Sequence, residues 1–524
     1  MARRAVAITP AVWLPGGGAA GCVAALALLP LAALFVTAPA GGSLGPADYA
    51  ALRFTIWQAL WSAALSLAVA VPFARALMRR RFIGRRVLVG LLGAPFLLPV
   101  LVAILGLSAV WGRSGVLSDL SLALGGPRIS IYGPWGVVMA HVFFNIPLAT
   151  RLLLQGWQGI PAERFRLAAQ LGLPDRAVFR LLEWPMLRAV CPPAFVLVFL
   201  LCLTSFAVAL TLGGGPRATT LEVAIYQALR FDFDLGHAAR LALVQCALCA
   251  AVALAALLLG KSAGFGGGLD RAPQRWDGVG WRAAVDRAVI GLVALFLGAP
   301  LVMVVLRGLA GLQVLAQPGL WAALGTSLVV ALTAAVLTLA MALPVAALSA
   351  ALPRGRAAAV EGATLLLLAV SPFVMGTGLF ILLRPVLDPL GWALPLTALV
   401  NAAVCLPFAL RALVPALTAA EADFGRLADS LGLRGIARLR WLVLPRLRAP
   451  LGFAAGLSAA LSMGDLGVIT LFAAPETGTL PLYIYRLMGA YAQTQAAGAA
   501  LLLMVCSLAL FWVFDRGGRL ADPV

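Results

Sequence analysis

The chain has 524 residues, of which 62% are hydrophobic and 11% are charged, and its formal net charge is +19. A mean hydropathy of +1.01 excludes an ordinary soluble globular protein. Basic loops between membrane spans produce the same excess of positive charge, so the charge does not predict nucleic-acid binding. The composition therefore predicts an all-α polytopic membrane protein that is surrounded by membrane lipids.

Apolar stretches of roughly 20 residues, each long enough to cross a bilayer as a helix, occur about twelve times along the chain. They lie near 19–39, 55–77, 88–111, 134–156, 190–212, 238–260, 284–306, 322–350, 362–383, 393–414, 450–472 and 494–514. The first stretch follows Arg3 and Arg4, and we expect it to stay as a signal anchor.

The arginines orient these predicted spans. With the N-terminus inside, one cytoplasmic loop contains a cluster of six arginines: Arg75, Arg79, Arg80, Arg81, Arg85 and Arg86. The loops on the opposite side then contain only scattered charges. The positive-inside rule therefore predicts that both termini are cytoplasmic.

A polar stretch at 163–188 returns at 423–448, with 12 of 26 positions identical at an offset of 260 residues. Each copy predicts a short helix, a glycine at its left-handed end and a second short helix that stops at a proline. In the first helix Phe165, Leu167, Ala168 and Leu171 are predicted to lie along one side. A single copy would fit an amphipathic surface loop equally well, but two copies at one offset indicate a duplication.

The duplication predicts two parallel repeats of six helices each. The first membrane domain is 1–260 with its polar loop at 160–188, and the second is 284–524 with its polar loop at 420–448. A glycine-rich segment, 261–283, is predicted to be a flexible cytoplasmic linker.

No motif in the sequence supplies energy for transport. Gly260, Lys261 and Ser262 match the end of a phosphate-binding loop, but Ala255 stands where its first glycine belongs. No metal-ligand or nucleophile motif is present either. The chain is therefore predicted to be no enzyme and to bind no metal or cofactor, so that a partner or an ion gradient must provide the energy.

The two repeated stretches resemble the EAA loops of binding-protein-dependent ABC importer permeases. The resemblance implies a type I ABC importer permease fold in the bacterial inner membrane. It also implies two ATP-binding cassette ATPase subunits, expected to be a homodimer that carries ATP and Mg²⁺, and a periplasmic substrate-binding protein. It assigns coupling to the ATPases to Glu163, Ala168, Ala169, Gly172, Pro185, Asp423, Ala428, Gly432 and Pro445. The second loop departs mildly from the motif, since Asp429 replaces its second alanine.

Three further stretches, 141–155, 205–234 and 462–473, resemble the fused permease of bacterial thiamine importers. That resemblance implies thiamine and its phosphate esters as substrates. Ferric-iron and polyamine permeases share the polar loops, so iron, a polyamine or another small solute remains an alternative. A proton-coupled secondary transporter is the alternative of a different class, but it would need several paired intramembrane charges, and only Asp465 lies deep in a predicted span.

Asp465 has two interpretations. Its carboxylate either lines a translocation path for a cation or caps a helix break between Gly464 and Gly467. Ser205 occupies the equivalent place in the first half and is the second candidate for the path. Gly214, Gly215, Arg217 and Glu222 lie in a predicted outer loop and are candidates for docking the binding protein, although a helix end and turn would give the same pattern.

Overall fold

The computed structural model describes residues 10–38, 43–92, 98–258, 280–353, 370–473 and 478–520, together with some positions between 355 and 367. The described residues form helices and their connections, and they include no strand. Most of the predicted linker, 261–279, lies outside the described residues.

The described helices follow one another in a similar order in the two halves of the chain. The first half contains α1 (Pro10–Thr37), α2 (Pro46–Arg79), α3 (Arg85–Leu91), α4 (Val100–Trp111), α5 (Val116–Ala123), α6 (Pro134–Gln158), α7 (Ala162–Gln170), α8 (Asp175–Val178), α9 (Trp184–Leu203), α10 (Phe206–Leu212), α11 (Leu221–Arg230) and α12 (Leu235–Leu258). The second half contains α13 (Trp281–Ala310), α14 (Pro318–Ala351), α15 (Pro372–Leu383), α16 (Ala393–Ser430), α17 (Gly435–Arg438), α18 (Leu444–Arg446), α19 (Arg448–Met463), α20 (Gly467–Phe472), α21 (Leu480–Gly489) and α22 (Gln493–Leu520).

Ten helical segments of the described residues are long and apolar enough to span a bilayer. The predicted span at 362–383 is not among them, since its described helix, α15, has only 12 residues. The predicted span at 450–472 is also not among them, because it is divided into α19 and α20. The all-α polytopic membrane fold is therefore confirmed, whereas the count of twelve spans is not.

Two of the predicted spans are broken at the same place in each half. The span at 190–212 stops at Leu203 and resumes at Phe206, and the span at 450–472 stops at Met463 and resumes at Gly467. In the first half, the Thr204 hydroxyl donates to the carbonyl of Leu200 at 3.3 Å, an interaction that competes with the helical ladder. Hydropathy alone does not show such breaks, because both pieces of each span are apolar.

The first helix of each half packs against the opposite half. α1 lies against α14 and α15, and α13 lies against α2 and α4. A Cβ at Gly378 would be 2.5 Å from the carbonyl oxygen of Pro30, and a Cβ at Gly106 would be 2.5 Å from that of Pro300. Glycine at both positions therefore permits a reciprocal close approach of helix backbones, which joins the two halves.

Candidate functional site

The two repeated polar loops adopt the local structure that the sequence predicts. Gly172 has φ +59° between α7 and α8, and Gly432 has φ +68° between α16 and α17. The loops differ at their entrances, since α7 is separate from α6 whereas α16 runs without interruption for 38 residues. Pro161 stands at the interruption in the first half, and Glu421 occupies its place in the second.

The prediction that Pro185 ends the second short helix is wrong. Phe179–Glu183 form a π-helical turn, and α9 continues directly with Pro185 in its first turn. The second loop has the matching π-helical turn at Leu439–Val443. Since a proline in a first helical turn needs no intrahelical hydrogen-bond donor, the chain passes from the polar loop into the membrane span without a stop.

The four residues that the sequence predicts along one side of the first short helix, Phe165, Leu167, Ala168 and Leu171, divide between two faces instead. Phe165 and Ala168 are buried together with Val178 of α8, so they hold the two short helices against each other. Leu167 and Leu171 point to the opposite face and are 57% and 65% exposed. Phe165 and Ala168 are three residues apart and Leu167 and Leu171 are four apart, so each pair lies on one helix face. Phe165 and Leu167 are only two residues apart, which places the two pairs on different faces.

The exposed leucines recur in the second loop. Leu427 is 57% exposed and Leu431 is 66% exposed, which nearly reproduces the values at Leu167 and Leu171. We call each pair the exposed leucine patch of its loop. Two equal apolar patches at the same sequence offset are more than scattered surface residues, and they give the two loops similar exposed surfaces.

The predicted coupling residues differ in their exposure. Glu163, Gly172, Pro185, Asp423 and Gly432 are exposed, Ala169 and Pro445 are half-buried, and Ala168 and Ala428 are buried. The exposed members lie on the surface of the loops and can contact a partner. The two buried alanines instead give the first helix of each loop a small residue at a packed position.

Arginines of α2 hold the first loop in place. Nε of Arg75 donates to Glu183 at 2.6 Å, and its Nη2 donates to Asp175 at 3.1 Å. Arg79 donates to the same carboxylate of Asp175, and the guanidinium of Arg75 lies 4.9 Å from the ring centre of Phe179. In the sequence, these arginines predict only which side of the membrane their loop faces. Their spacing of four residues also places them on one helix face, where both can reach the same partner.

The second loop is held by a different set of charges. Arg438 of α17 donates to Glu421 of α16 and to Asp429 at 2.6 Å. The hydrogen bonds to Glu421 raise the pKa of the Arg438 guanidinium. α14 ends at Ala351 where α2 ends at Arg79, and Ala347 and Ala351 stand on α14 in the places that Arg75 and Arg79 take on α2. The two loops thus share a backbone but differ in what fixes them to the spans.

The two path candidates lie at the helix breaks. Oδ1 of Asp465 accepts hydrogen bonds from the backbone N–H groups of Gly467 and Val468 at 3.1 and 3.4 Å, so Asp465 caps α20. Ser205 precedes α10 without a side-chain cap. The structure therefore supports the cap interpretation for one carboxylate oxygen of Asp465, and it places both residues at equivalent breaks.

The predicted outer loop is only partly a surface. Gly214, Gly215 and Arg217 are exposed, but the Glu222 side chain is 1% exposed and accepts a hydrogen bond from Ser371. Glu222 lies on α11, whose first backbone N–H donates to Thr55 of α2 at 2.9 Å. The prediction that Glu222 contributes to a docking surface is therefore contradicted, because α11 turns back between the spans and buries it.

Comparison with known proteins gives relatives that cover nearly the whole chain. The thiamine transport system permease protein of Brucella abortus is 42% identical over 531 residues, with 98% of this chain and 97% of the relative covered. The protein of the same name from Escherichia coli is 39% identical, with 98% of each chain covered. A probable sulfate transport system permease protein of Helicosporidium is 31% identical over 186 residues, which are 34% of this chain and 68% of that protein. No protein-family model matches the chain.

Proposed function

Because the chain belongs to the family of thiamine transport system permease proteins, we propose that it is the membrane-spanning permease of an ATP-driven ABC importer. Its substrates are thiamine and the phosphate esters of thiamine. The importer lies in the bacterial inner membrane, and a periplasmic binding protein delivers the substrate. The identity over nearly the full length of several permeases of one name supports this proposal.

The observation that carries the mechanism is the pair of exposed leucine patches. Two ATPase subunits need two docking sites, and the loops at 160–188 and 420–448 offer the same apolar pair, Leu167 with Leu171 and Leu427 with Leu431. ATP and Mg²⁺ belong to these subunits, where phosphoryl transfer takes place. When the ATPases close, the docked loops move and carry the adjoining spans with them.

Linkage then connects the two sides of the membrane. The loaded binding protein and ATP both favour the conformation that is open to the outside, so each raises the affinity of the transporter for the other. The exposed residues Gly214, Gly215 and Arg217 are the part of the predicted docking surface that the structure leaves accessible.

Deletion of the gene in its native host is expected to abolish high-affinity uptake of radiolabelled thiamine. The wild-type gene should restore it, and uptake of ferric iron and of a polyamine should be unchanged by the deletion. The native host supplies the partner subunits, so the experiment needs no reconstitution. Unchanged thiamine uptake in the deletion strain, or lost iron or polyamine uptake instead, would contradict the proposed substrate.

The predicted orientation can be tested with single cysteines in a variant that lacks the seven native cysteines. Ile83, between α2 and α3, is 105% exposed, and Leu124, after α5, is 79% exposed. With the N-terminus inside, Ile83→Cys should resist an impermeant thiol reagent in intact cells and Leu124→Cys should react. The reverse pattern would invert the topology. Labelling of Ile83→Cys after membrane permeabilisation is the control for its reactivity.

A further inference from the structure

Three aromatic rings meet at the interface between the two halves. Phe206 at the start of α10 stacks on Phe373 of α15, with ring centres 4.4 Å apart and an angle of 23° between the planes. Tyr226 of α11 lies edge-on to both rings, at 5.5 and 6.4 Å. The Phe206–Phe373 stack therefore joins the helix break of the first half to a helix of the second.

Two carboxyl groups lie near this stack. Glu222 is one helical turn before Tyr226 on α11, and it accepts a hydrogen bond from Ser371, two residues before Phe373. Asp465 is two residues before Gly467, and a Cβ at Gly467 would lie 3.6 Å from the ring of Phe206. Both carboxyl groups are therefore close neighbours of the stack, Glu222 through Ser371 and Asp465 through Gly467.

In each of the two carboxyl groups, the two oxygens differ in their hydrogen bonding. Oε2 of Glu222 and Oδ2 of Asp465 are buried, and within the described part of the chain neither meets a partner in hydrogen-bond geometry, although the Asn401 side chain lies beside the Asp465 carboxyl group. A buried carboxylate oxygen without a partner is costly, and carboxylates at membrane depth usually serve a transported ion or substrate. Their second oxygens are fixed by Ser371 and by the backbone of α20, so both groups are already oriented.

α11 connects this cluster to the second half at both of its ends. Glu222 at its start bonds to Ser371, and Arg230 at its end donates to the carbonyl oxygen of Ala473 at 3.0 Å. Any movement that parts the two halves must therefore separate Phe206 from Phe373 and release α11. Such a movement exposes the faces of both rings and breaks the bond between Glu222 and Ser371.

We infer that Glu222, Asp465 and the Phe206–Phe373 stack form an intramembrane binding site for an aromatic cation, whose ring takes the place of the ring–ring contact. A cation over an aromatic face is attracted by the ring quadrupole, and this attraction is strongest away from water. A cation beside the two carboxyl groups favours their ionised forms, which supply the opposite charge. The identity of the cation as thiamine rests on the proposed function.

The test replaces the chromosomal gene in the native host by variants of the full chain. Phe206→Leu removes the ring, Phe206→Trp keeps an aromatic face, and Glu222→Gln and Asp465→Asn remove one charge each while keeping an oxygen acceptor. Thiamine uptake with the Leu, Gln and Asn variants should fall about tenfold, while the Trp variant should retain most of it. Co-purification of the ATPase subunit should match wild type in all four.

Phe195→Leu is the matched control, because Phe195 and Phe199 form a ring stack within α9 alone, with centres 6.2 Å apart. It should transport like wild type. Wild-type uptake with both Phe206→Leu and Glu222→Gln would overturn the site. A loss of uptake that is equal in Phe206→Leu and Phe206→Trp and is accompanied by loss of the ATPase would also overturn it, since it would show a structural role.

A second measurement does not depend on transport. Saturation-transfer NMR on the purified full chain in nanodiscs should show contact between thiamine and the wild-type protein, and a weaker signal with Glu222→Gln. An equal signal from both would overturn the site. Failure of the proposed function is recognised separately, because deletion of the gene would then leave thiamine uptake unchanged.

Discussion

Replacing both Gly172 and Gly432 by valine is expected to reduce thiamine uptake about hundredfold, while the permease still inserts in the membrane. Both glycines have φ values in the left-handed region, +59° and +68°, where a β-branched residue is strained. A Cβ at either position meets no atom within 4 Å. The substitution therefore acts through the backbone alone, by turning the exposed leucine patch away from its partner.

The matched control is asparagine at the same two positions, because asparagine tolerates the left-handed conformation. It adds a side chain of similar size, so uptake should stay near the wild-type rate. Uptake of radiolabelled thiamine and co-purification of the ATPase with a tagged permease measure the two effects. If the valine and asparagine variants transport equally well, the left-handed turn has no part in coupling.

Asp175→Asn is expected to destabilise the chain by about 2 kcal/mol and to loosen the first loop from α2. The Asp175 carboxylate receives Arg75 and Arg79, whose side chains are 22% and 3% exposed, and Arg282 lies 3.7 Å away. Asparagine has similar shape but no charge, so it leaves these guanidinium groups without their shared anion. Removing one partner from a buried ion pair costs more than the pair contributes, because the remaining charge stays desolvated.

Asp429→Asn provides the comparison in the second loop. The Asp429 side chain is 72% exposed and pairs with Arg438, so its loss should change stability by less than about 0.5 kcal/mol. Thermal unfolding of both purified variants and limited trypsin cleavage after the loop arginines test the difference. Equal melting temperatures for the two variants would show that the arginine anchor of the first loop carries no stability.

If Asp175→Asn destabilises the chain and Asp429→Asn does not, the two loops do not transmit motion in the same way. The first is tied to α2 by Arg75 and Arg79, whereas the second is tied to its own helix by Arg438. Asp175→Asn should then affect the ATPase contact of the first loop alone. This asymmetry arises from side chains that diverged after the duplication, while the glycine turns stayed the same.

The sequence by itself determined the features that depend on neighbouring residues. Apolar length predicts the membrane class, and the repeat at an offset of 260 residues locates both polar loops. The left-handed turns at Gly172 and Gly432 were predictable because only the local backbone decides them. The alternative of Asp465 as a helix cap was also visible, since Gly464 and Gly467 lie within two residues of it.

Only the tertiary structure decided which residues from distant parts of the chain contact each other. The burial of Glu222 depends on Ser371, 149 residues away, and the anchor of the first loop depends on pairs about 100 residues apart. Hydropathy does not predict such contacts, because lipid tails and apolar side chains are equivalent partners for a helix surface. α1 and α13 pack against the opposite halves, where Gly378 and Gly106 allow the helix backbones to come close. For the same reason this packing leaves no periodic signal in the sequence.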